Sequence, residues 1–161
     1  MVKEKLSTVT IEGATLIFRN FAGKEGMYNR AGDRNFSVIL PEDVAAVMEA
    51  DGWNIKILRA QEEGDTPTPY LSVAVNFSNR PPRIVTMTSR GRQNLSEENV
   101  EILDWADIAT ADLIVSPYEW VNGNKTGIKA YLKSLFVQIE EDELERKWGV
   151  NDVDTVGGGD D

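Results

Sequence analysis

Two segments of alternating apolar and polar residues near the C-terminal end constrain the fold more than any other feature. They cover residues 111–120 and 126–140, and the five residues between them, VNGNK, contain the dipeptide Asn122-Gly123. Asn-Gly between two alternating runs is a strong short-range indication of a β-hairpin, because both residues tolerate the positive φ of a tight turn. The sequence therefore predicts a long hairpin in a fold dominated by β-strands.

Five earlier segments also have the composition of strands. Residues 7–18, STVTIEGATLIF, are rich in Thr, Val and Ile, and the interior Gly13 predicts a bend or a bulge. Residues 19–32 contain three glycines and no apolar periodicity, which predicts a loop. The other four strands are predicted at residues 33–40, 53–59, 70–77 and 83–88.

Two short helices are predicted between the strands. The first begins at Pro41, a residue that suits a first helical turn, and ends at Gly52. Its apolar face consists of Val44, Val47 and Met48. The second is predicted over residues 96–107, where Asn94 and Glu97 have the spacing of a capping box at its start. It would dock on the sheet through Val100, Leu103 and Trp105.

Seven extended segments, short helices and a terminal hairpin are typical of a small, closed or nearly closed antiparallel barrel. A β-sandwich would produce similar local patterns. A chain of 161 residues has the size of one domain, and we predict that domain over residues 1–148. Residues 149–161, with three consecutive glycines and an excess of acid, are predicted to form a flexible tail.

The absence of Cys and His narrows the chemistry. It removes disulfides, thiolate nucleophiles, sulfur-ligated metals and an imidazole base. An enzyme would have to use carboxylates, Lys, Tyr or a carboxylate-bound metal, so we predict no catalytic residue, no cofactor and no metal. The chain also has no apolar run long enough for a bilayer and no secretory signal at its N-terminus, and we expect a cytoplasmic protein.

Charge is distributed unevenly along this acidic chain, which has 27 Asp and Glu against 17 Lys and Arg. Residues 135–161 hold nine acids and two bases, whereas residues 1–134 hold eighteen acids and fifteen bases. The segment from Arg80 to Arg92, RPPRIVTMTSRGR, contains four arginines and no acid. We interpret it as part of a surface that binds a polyanion.

Three groups of cations lie close to aromatic residues in the sequence. Single-stranded nucleic acid needs this combination, because its phosphates attract cations and its unstacked bases stack on flat rings. The predicted DNA-binding residues are Arg19, Lys24, Tyr28, Arg30 and Arg34 in the first group, Arg80, Arg83, Arg90 and Arg92 in the second, and Tyr118, Trp120, Lys125, Lys129, Tyr131 and Lys133 in the hairpin.

The hairpin carries the most specific of these patterns. In KTGIKAYLK, residues Lys125, Lys129, Tyr131 and Lys133 have the same parity, so a strand would place them on one face. Ile128, Ala130 and Leu132 would form the opposite, apolar face. For the strand aromatics the expected location is the core, because alternation buries every second residue; these are Phe18, Phe36, Phe77 and Phe136.

The chain resembles the single-stranded DNA-binding proteins that phages encode. The similarity rests on the long first strand and the glycine-rich loop ending in GDRNFSVIL, on PPRIVTMTSRG, on the hairpin DLIVSPYEW-NG-NKTGIKAYLKSLFVQIEEDELE and on the acidic tail. The resemblance implies an oligonucleotide/oligosaccharide-binding (OB) barrel that coats single-stranded DNA without sequence preference. It also implies an acidic C-terminus that contacts replication or recombination proteins. Independently of the resemblance, a flexible acidic tail tethered to a cationic groove is expected to compete with DNA for that groove.

Two other functions are compatible with the composition. An acidic interaction protein, such as a DNA mimic or an inhibitor of a host nucleic-acid enzyme, would use the carboxylates and leave the arginines as ordinary surface. A metal-dependent nuclease would need carboxylates such as Asp104, Asp107 and Asp112 to gather around an ion. The sequence leaves the oligomeric state open, with a homodimer as one option.

Overall fold

One mixed β-sheet makes up most of the described chain. The computed structural model describes residues 7–27, 29–58, 67–78 and 80–141. Its strands are β1 (Val9–Ala14), β2 (Leu16–Asn20), β3 (Arg34–Ile39), β4 (Ile55–Leu58), β5 (Thr68–Val75), β6 (Arg83–Thr88), β7 (Gly91–Leu95), β8 (Ile108–Asn122) and β9 (Lys125–Ile139). An α-helix, α1 (Glu42–Ala50), and a 3₁₀ helix (Val100–Asp104) lie between strands.

The strand order shows how the sheet curves into an OB-like barrel. The main path of paired strands is β1-β8-β9-β5-β3-β2, and only Thr15 separates β1 from β2 in the chain. The path therefore begins and ends on two halves of one bent strand. Gly13 has φ +62° beside a register shift in the β1–β8 pairing, as the interior glycine predicted.

The predicted antiparallel barrel needs one correction, because the sheet is mixed. β8 pairs with β9 in antiparallel orientation along the whole hairpin. The other edge of β9 is shared by β5 and β6, and both run parallel to it. β9 is fifteen residues long, and this length lets it pair with two shorter strands in succession.

The inner faces of the strands form the core, which includes aromatic residues from a loop as well as a strand. Phe21 and Phe36 are fully buried and stack with ring centroids 4.9 Å apart. Trp53 is also buried, and its backbone forms an isolated parallel β-bridge with Ile128. This bridge holds the base of the hairpin against the segment that precedes β4. Phe36 thus lies where strand alternation predicted.

The helices agree only partly with the sequence pattern. α1 is present, with Pro41 at its N-cap, but its buried face uses Ala45 and Met48, while Val47 is 63% exposed. The second predicted α-helix is wrong. Asn94 lies in β7 opposite Val85, so it cannot cap a helix.

Only the 3₁₀ turn follows β7. Val100 and Leu103 are buried as predicted, whereas Trp105 is 62% exposed. No helix in the described ranges is long and apolar enough to cross a membrane. The predicted tail, residues 149–161, lies outside the described residues.

Candidate nucleic-acid interface

An open groove of about 1000 Å³ lies between the first loop and the hairpin. We use "first loop" for residues 21–33, between β2 and β3. Its last residues form one wall of the groove, residues 126–131 of the hairpin form the other, and Ser72, Ala74 and Asn76 from β5 and its C-terminal end lie between them. Ser72 and Asn76 are exposed, so their polar side chains are available to a ligand.

The cations of the groove differ in how far the protein itself neutralises them. Arg30 forms an ion pair with Asp33 and Arg34 with Glu97, each at 3.6 Å. Within the described ranges, neither Lys56 nor Lys129 forms an ion pair, and both are exposed. The two lysines therefore supply uncompensated positive charge to the groove, from neighbouring strands that pair with the same edge of β5.

Arg34 is held in place by three contacts. Its guanidinium donates a hydrogen bond of 2.6 Å to the Phe21 carbonyl oxygen and lies 5.6 Å from the centroid of the Phe77 ring. With the ion pair to Glu97, these contacts leave Arg34 half-buried. It shapes the wall of the groove and positions Phe77.

The aromatic side chains of the groove come mainly from the hairpin. Tyr131 meets Tyr118 edge-to-face, with centroids 6.0 Å apart, and the Lys129 ammonium lies 5.3 Å from the Tyr131 ring centroid. Trp120 is 39% exposed and lines the groove. Flat, partly exposed rings beside ammonium groups provide both stacking surfaces and phosphate partners.

Gly127 determines where the Trp120 indole lies. The two residues face each other across the hairpin, and a Cβ atom on Gly127 would come within 2.5 Å of Trp120 Cζ2. Since no real side chain can approach that closely, only glycine lets the indole lie flat against the backbone of β9. This local packing orients the ring in the groove wall.

The structure thus brings together five of the predicted binding residues in the groove: Arg30, Arg34, Trp120, Lys129 and Tyr131. Tyr118 contacts this group through Tyr131. Lys125 is exposed beside the hairpin turn. The predicted parity also holds for burial, since Ile128, Ala130 and Leu132 are buried on the opposite face.

Other predicted residues lie elsewhere. The Arg19 guanidinium donates hydrogen bonds of 2.9 and 2.8 Å to the carbonyl oxygens of Leu103 and Ala106, so it joins β2 to the 3₁₀ helix. Lys24, Arg80 and Lys133 are exposed but do not line the groove. Tyr28 lies outside the described residues.

The arginine-rich segment forms a second surface on β6 and β7. Arg83 and Arg92 place their guanidinium carbons 5.3 and 5.5 Å from the centroid of the Phe136 ring. We refer to these three residues as the arginine–phenylalanine cluster. Arg90 is exposed near it, in the turn between the two strands.

A bulge in β9 explains why Phe136 faces outward. Ser134 pairs with Ile114 and Leu132 with Val115, so Lys133 is an extra residue in the ladder. Buried positions change from even to odd numbers at this point, and Leu135 and Val137 are buried. Phe136, predicted to be in the core, is therefore half-buried on the outer face.

Sequence reasoning missed two further outward-facing residues, Lys56 and Phe18. Lys56 comes from the short strand β4, and no charge pattern in its segment distinguished it. Phe18 was predicted to be a core residue but is 58% exposed, and its ring meets Tyr70 edge-to-face at 5.6 Å. A bulge again overrides simple alternation, since two residues of β2 oppose one of β3 between Ile17 and Asn20.

Two of the three carboxylates considered for a metal site, those of Asp104 and Asp112, have structural roles. Asp104 accepts hydrogen bonds from the backbone N–H groups of Phe21 and Ala22, and Asp112 accepts one from Gly13. In the part of the chain that the structure describes, no group of three acidic side chains could hold a metal ion. Nothing in this region supports the nuclease alternative.

These features define a class of protein. OB-type barrels bind oligonucleotides or oligosaccharides on a strand face between loops, and a groove that combines cations with exposed rings suits an unpaired nucleic-acid strand. The family model described as "Putative phage ssDNA-binding domain" matches residues 1–156, so the chain belongs to this family of phage single-stranded DNA-binding proteins. Among curated proteins, no sequence relative matches the chain.

Solved structures share the fold at low sequence identity. The single-stranded DNA-binding protein from bacteriophage Enc34, in complex with ssDNA, is similar with a TM-score of 0.55 and 10% identity, covering 84% of this chain and 88% of that one. A C-terminal truncation of the Enc34 protein is similar with a TM-score of 0.53 and 11% identity, covering 84% and 87%. The likeness supports the OB-like fold.

Proposed function

We propose that the protein binds single-stranded DNA in the groove without sequence preference and that it has no catalytic activity. Family membership and the fold shared with an Enc34 protein solved with ssDNA support the proposal. One observation carries it for this chain: the rings of Trp120 and Tyr131 line one groove together with the cations Arg30, Lys56 and Lys129. Coating of exposed strands during phage replication and recombination, in the host cytoplasm, is the role that we propose for this activity.

Some side chains of the groove would bind phosphates and others would stack on bases. Lys56, Lys129 and Arg30 would bind phosphates, while Trp120 and Tyr131 would stack on bases, with Tyr118 supporting Tyr131. Every base has a π-face, so stacking gives affinity that tolerates any sequence. Phosphate contacts are equally independent of sequence.

The arginine–phenylalanine cluster would extend this path along the outer face of β9. Tyr131 and Phe136 are five residues apart on that strand, which corresponds to roughly 16 Å. Because both guanidinium groups already lie over the Phe136 ring, we assign Arg83 and Arg92 to phosphates and assign no base to Phe136. Lys24, Tyr28, Arg80, Arg90, Lys125 and Lys133 would be peripheral contacts.

The acidic segment 149–161 would act as an electrostatic gate and as a contact for replication or recombination proteins. It is tethered to a domain with a cationic groove, so its effective concentration near that groove is high. Removal of the segment should therefore tighten DNA binding at low salt. Salt should reduce the difference between the two forms, because it screens the competing charges.

The direct test is fluorescence anisotropy of a labelled oligo(dT), titrated with the full chain and with a chain that ends at Trp148, over a range of salt concentrations. We expect binding that weakens steeply with salt and tightens in the shortened chain. No binding by either form at low salt would contradict the proposal and favour the acidic-mimic hypothesis. Equal affinity of both forms would contradict the proposed electrostatic gate but would still support binding in the groove.

A further inference from the structure

Phe18 has an unusual backbone conformation for an exposed aromatic residue. Its φ is +50°, and among the described residues it is the only non-glycine with a positive φ. For a bulky side chain this conformation is unfavourable, and it persists only where the surrounding structure imposes it. Here the β2 bulge imposes it and turns the ring outward, so that 58% of the residue is exposed.

The exposed ring does not stand alone. Tyr70 on β5 meets it edge-to-face, with centroids 5.6 Å apart and planes inclined by 71°. Such a contact fixes the orientation of both rings and leaves a face of Phe18 available. The pair forms a small aromatic surface on one face of the sheet.

This aromatic pair is continuous with the groove. Tyr70 lies directly opposite Lys56 in the β4–β5 ladder, so the two side chains are on the same face of the sheet. Ser72, two residues further along β5, is also on that face. Lys56 and Ser72 line the groove, whereas Phe18 and Tyr70 lie just beyond its lining.

We propose that Phe18 and Tyr70 form a second base-stacking platform, which takes a nucleobase of the same DNA strand after that strand leaves the groove beside Lys56. The inference rests on the proposed function and extends it. The ligand is a nucleobase of an unpaired strand, because a flat ring next to a cation matches a base followed by its phosphate. The β2 bulge then has a function, which is to turn a ring that alternation would bury toward the DNA.

The test uses Phe18→Gly in the full chain and a series of oligo(dT) lengths from about 4 to about 20 nucleotides, the range of OB-fold site sizes. Glycine adopts a positive φ without penalty, so the melting temperature should stay unchanged or rise. Affinity for the longer oligonucleotides should fall roughly 5- to 100-fold, the range expected when one stacked base is lost. Affinity for the shortest oligonucleotide that the wild type binds should not change.

Two further variants distinguish base stacking on Phe18 from a general effect of removing an exposed aromatic ring. Trp105→Ala removes another exposed aromatic residue and should leave affinity unchanged at every length, whereas Phe18→Trp should restore binding of long oligonucleotides. Photo-crosslinking with 5-iodouracil-substituted DNA should label Phe18 or Tyr70 only with long oligonucleotides.

Three outcomes would overturn the platform. Equal affinity of the wild type and Phe18→Gly at all lengths would exclude it while leaving the groove intact. A wild-type dimer that dissociates on Phe18→Gly, seen by sedimentation, would show that Phe18 contacts a second copy instead. No oligonucleotide binding by the wild type would reject the proposed function itself.

Discussion

The first loop and the hairpin flank the same groove, and both combine cations with aromatic rings, but they use these side chains differently. In the hairpin, Lys129, Tyr131 and Trp120 face the groove. In the first loop, Phe21 is fully buried and its carbonyl oxygen holds Arg34. The hairpin satisfies its backbone through fourteen cross-strand pairs, whereas the loop has only a few backbone hydrogen bonds of its own and depends in part on side chains for the same purpose.

Hydrogen bonds within and around the first loop show this dependence. Asn29 donates to the carbonyl oxygens of Lys24, Arg30 and Asp33, and the Asp104 carboxylate accepts from two N–H groups of the loop. Residue type alone therefore does not identify a binding side chain. What matters is whether the local backbone needs that side chain for its own structure.

The first loop and the hairpin should differ most in how much their aromatic residues contribute to the stability of the fold. Phe21→Ala removes a fully buried ring that stacks on Phe36 and should lower the free energy of unfolding by about 3–5 kcal/mol. Urea denaturation followed by circular dichroism measures this change. A loss below about 1 kcal/mol would contradict the core role of the loop.

On the hairpin side, Trp120→Ala and Tyr131→Ala should each weaken oligo(dT) binding by about 1–3 kcal/mol, the cost of losing a stacked base. Both rings are partly exposed, so stability should change far less than in Phe21→Ala. Anisotropy titrations compare each variant with Trp105→Ala, which should bind like the wild type. Unchanged affinity in both hairpin variants would remove stacking from the proposed mechanism.

Arg19→Gln tests whether a predicted binding residue is structural. The Leu103 and Ala106 carbonyl oxygens would lose their charged donor, and the free energy of unfolding should fall by about 1–3 kcal/mol. DNA affinity at a temperature where the variant is folded should stay the same. A loss of affinity with unchanged stability would show that Arg19 binds DNA, as the sequence predicted.

Lys129→Gln has the smallest expected effect and the most specific signature. If Lys129 neutralises one phosphate, the slope of log K against log salt should fall in magnitude by about 0.7, the value for one contact with a single strand. Lys24→Gln is the comparison variant from the first loop: Lys24 is exposed outside the groove lining, so as a peripheral contact it should change the slope less than Lys129 does. An unchanged slope in Lys129→Gln would show that this ammonium does not contact a phosphate.

Much of the fold was predictable from local pattern. The hairpin, the bend at Gly13, helix α1 and strands β1 to β6 lie close to their expected positions, because alternation, turn residues and Pro or Gly boundaries act over a few residues. β7 was missed, since GRQNL has little apolar alternation and forms a strand only through its pairing with β6. Because of this pairing, Asn94 lies in a strand and does not cap the helix that was predicted to start there.

The composition and hairpin pattern of the chain by themselves determined its β-rich fold, the absence of Cys and His chemistry, and the basic, aromatic face of the hairpin. Tertiary structure decided which rings point outward. The bulges in β2 and β9 turned Phe18 and Phe136 out of the positions that alternation assigned to them. Such bulges depend on the register between strands that are distant in sequence, and no short stretch of sequence contains that information.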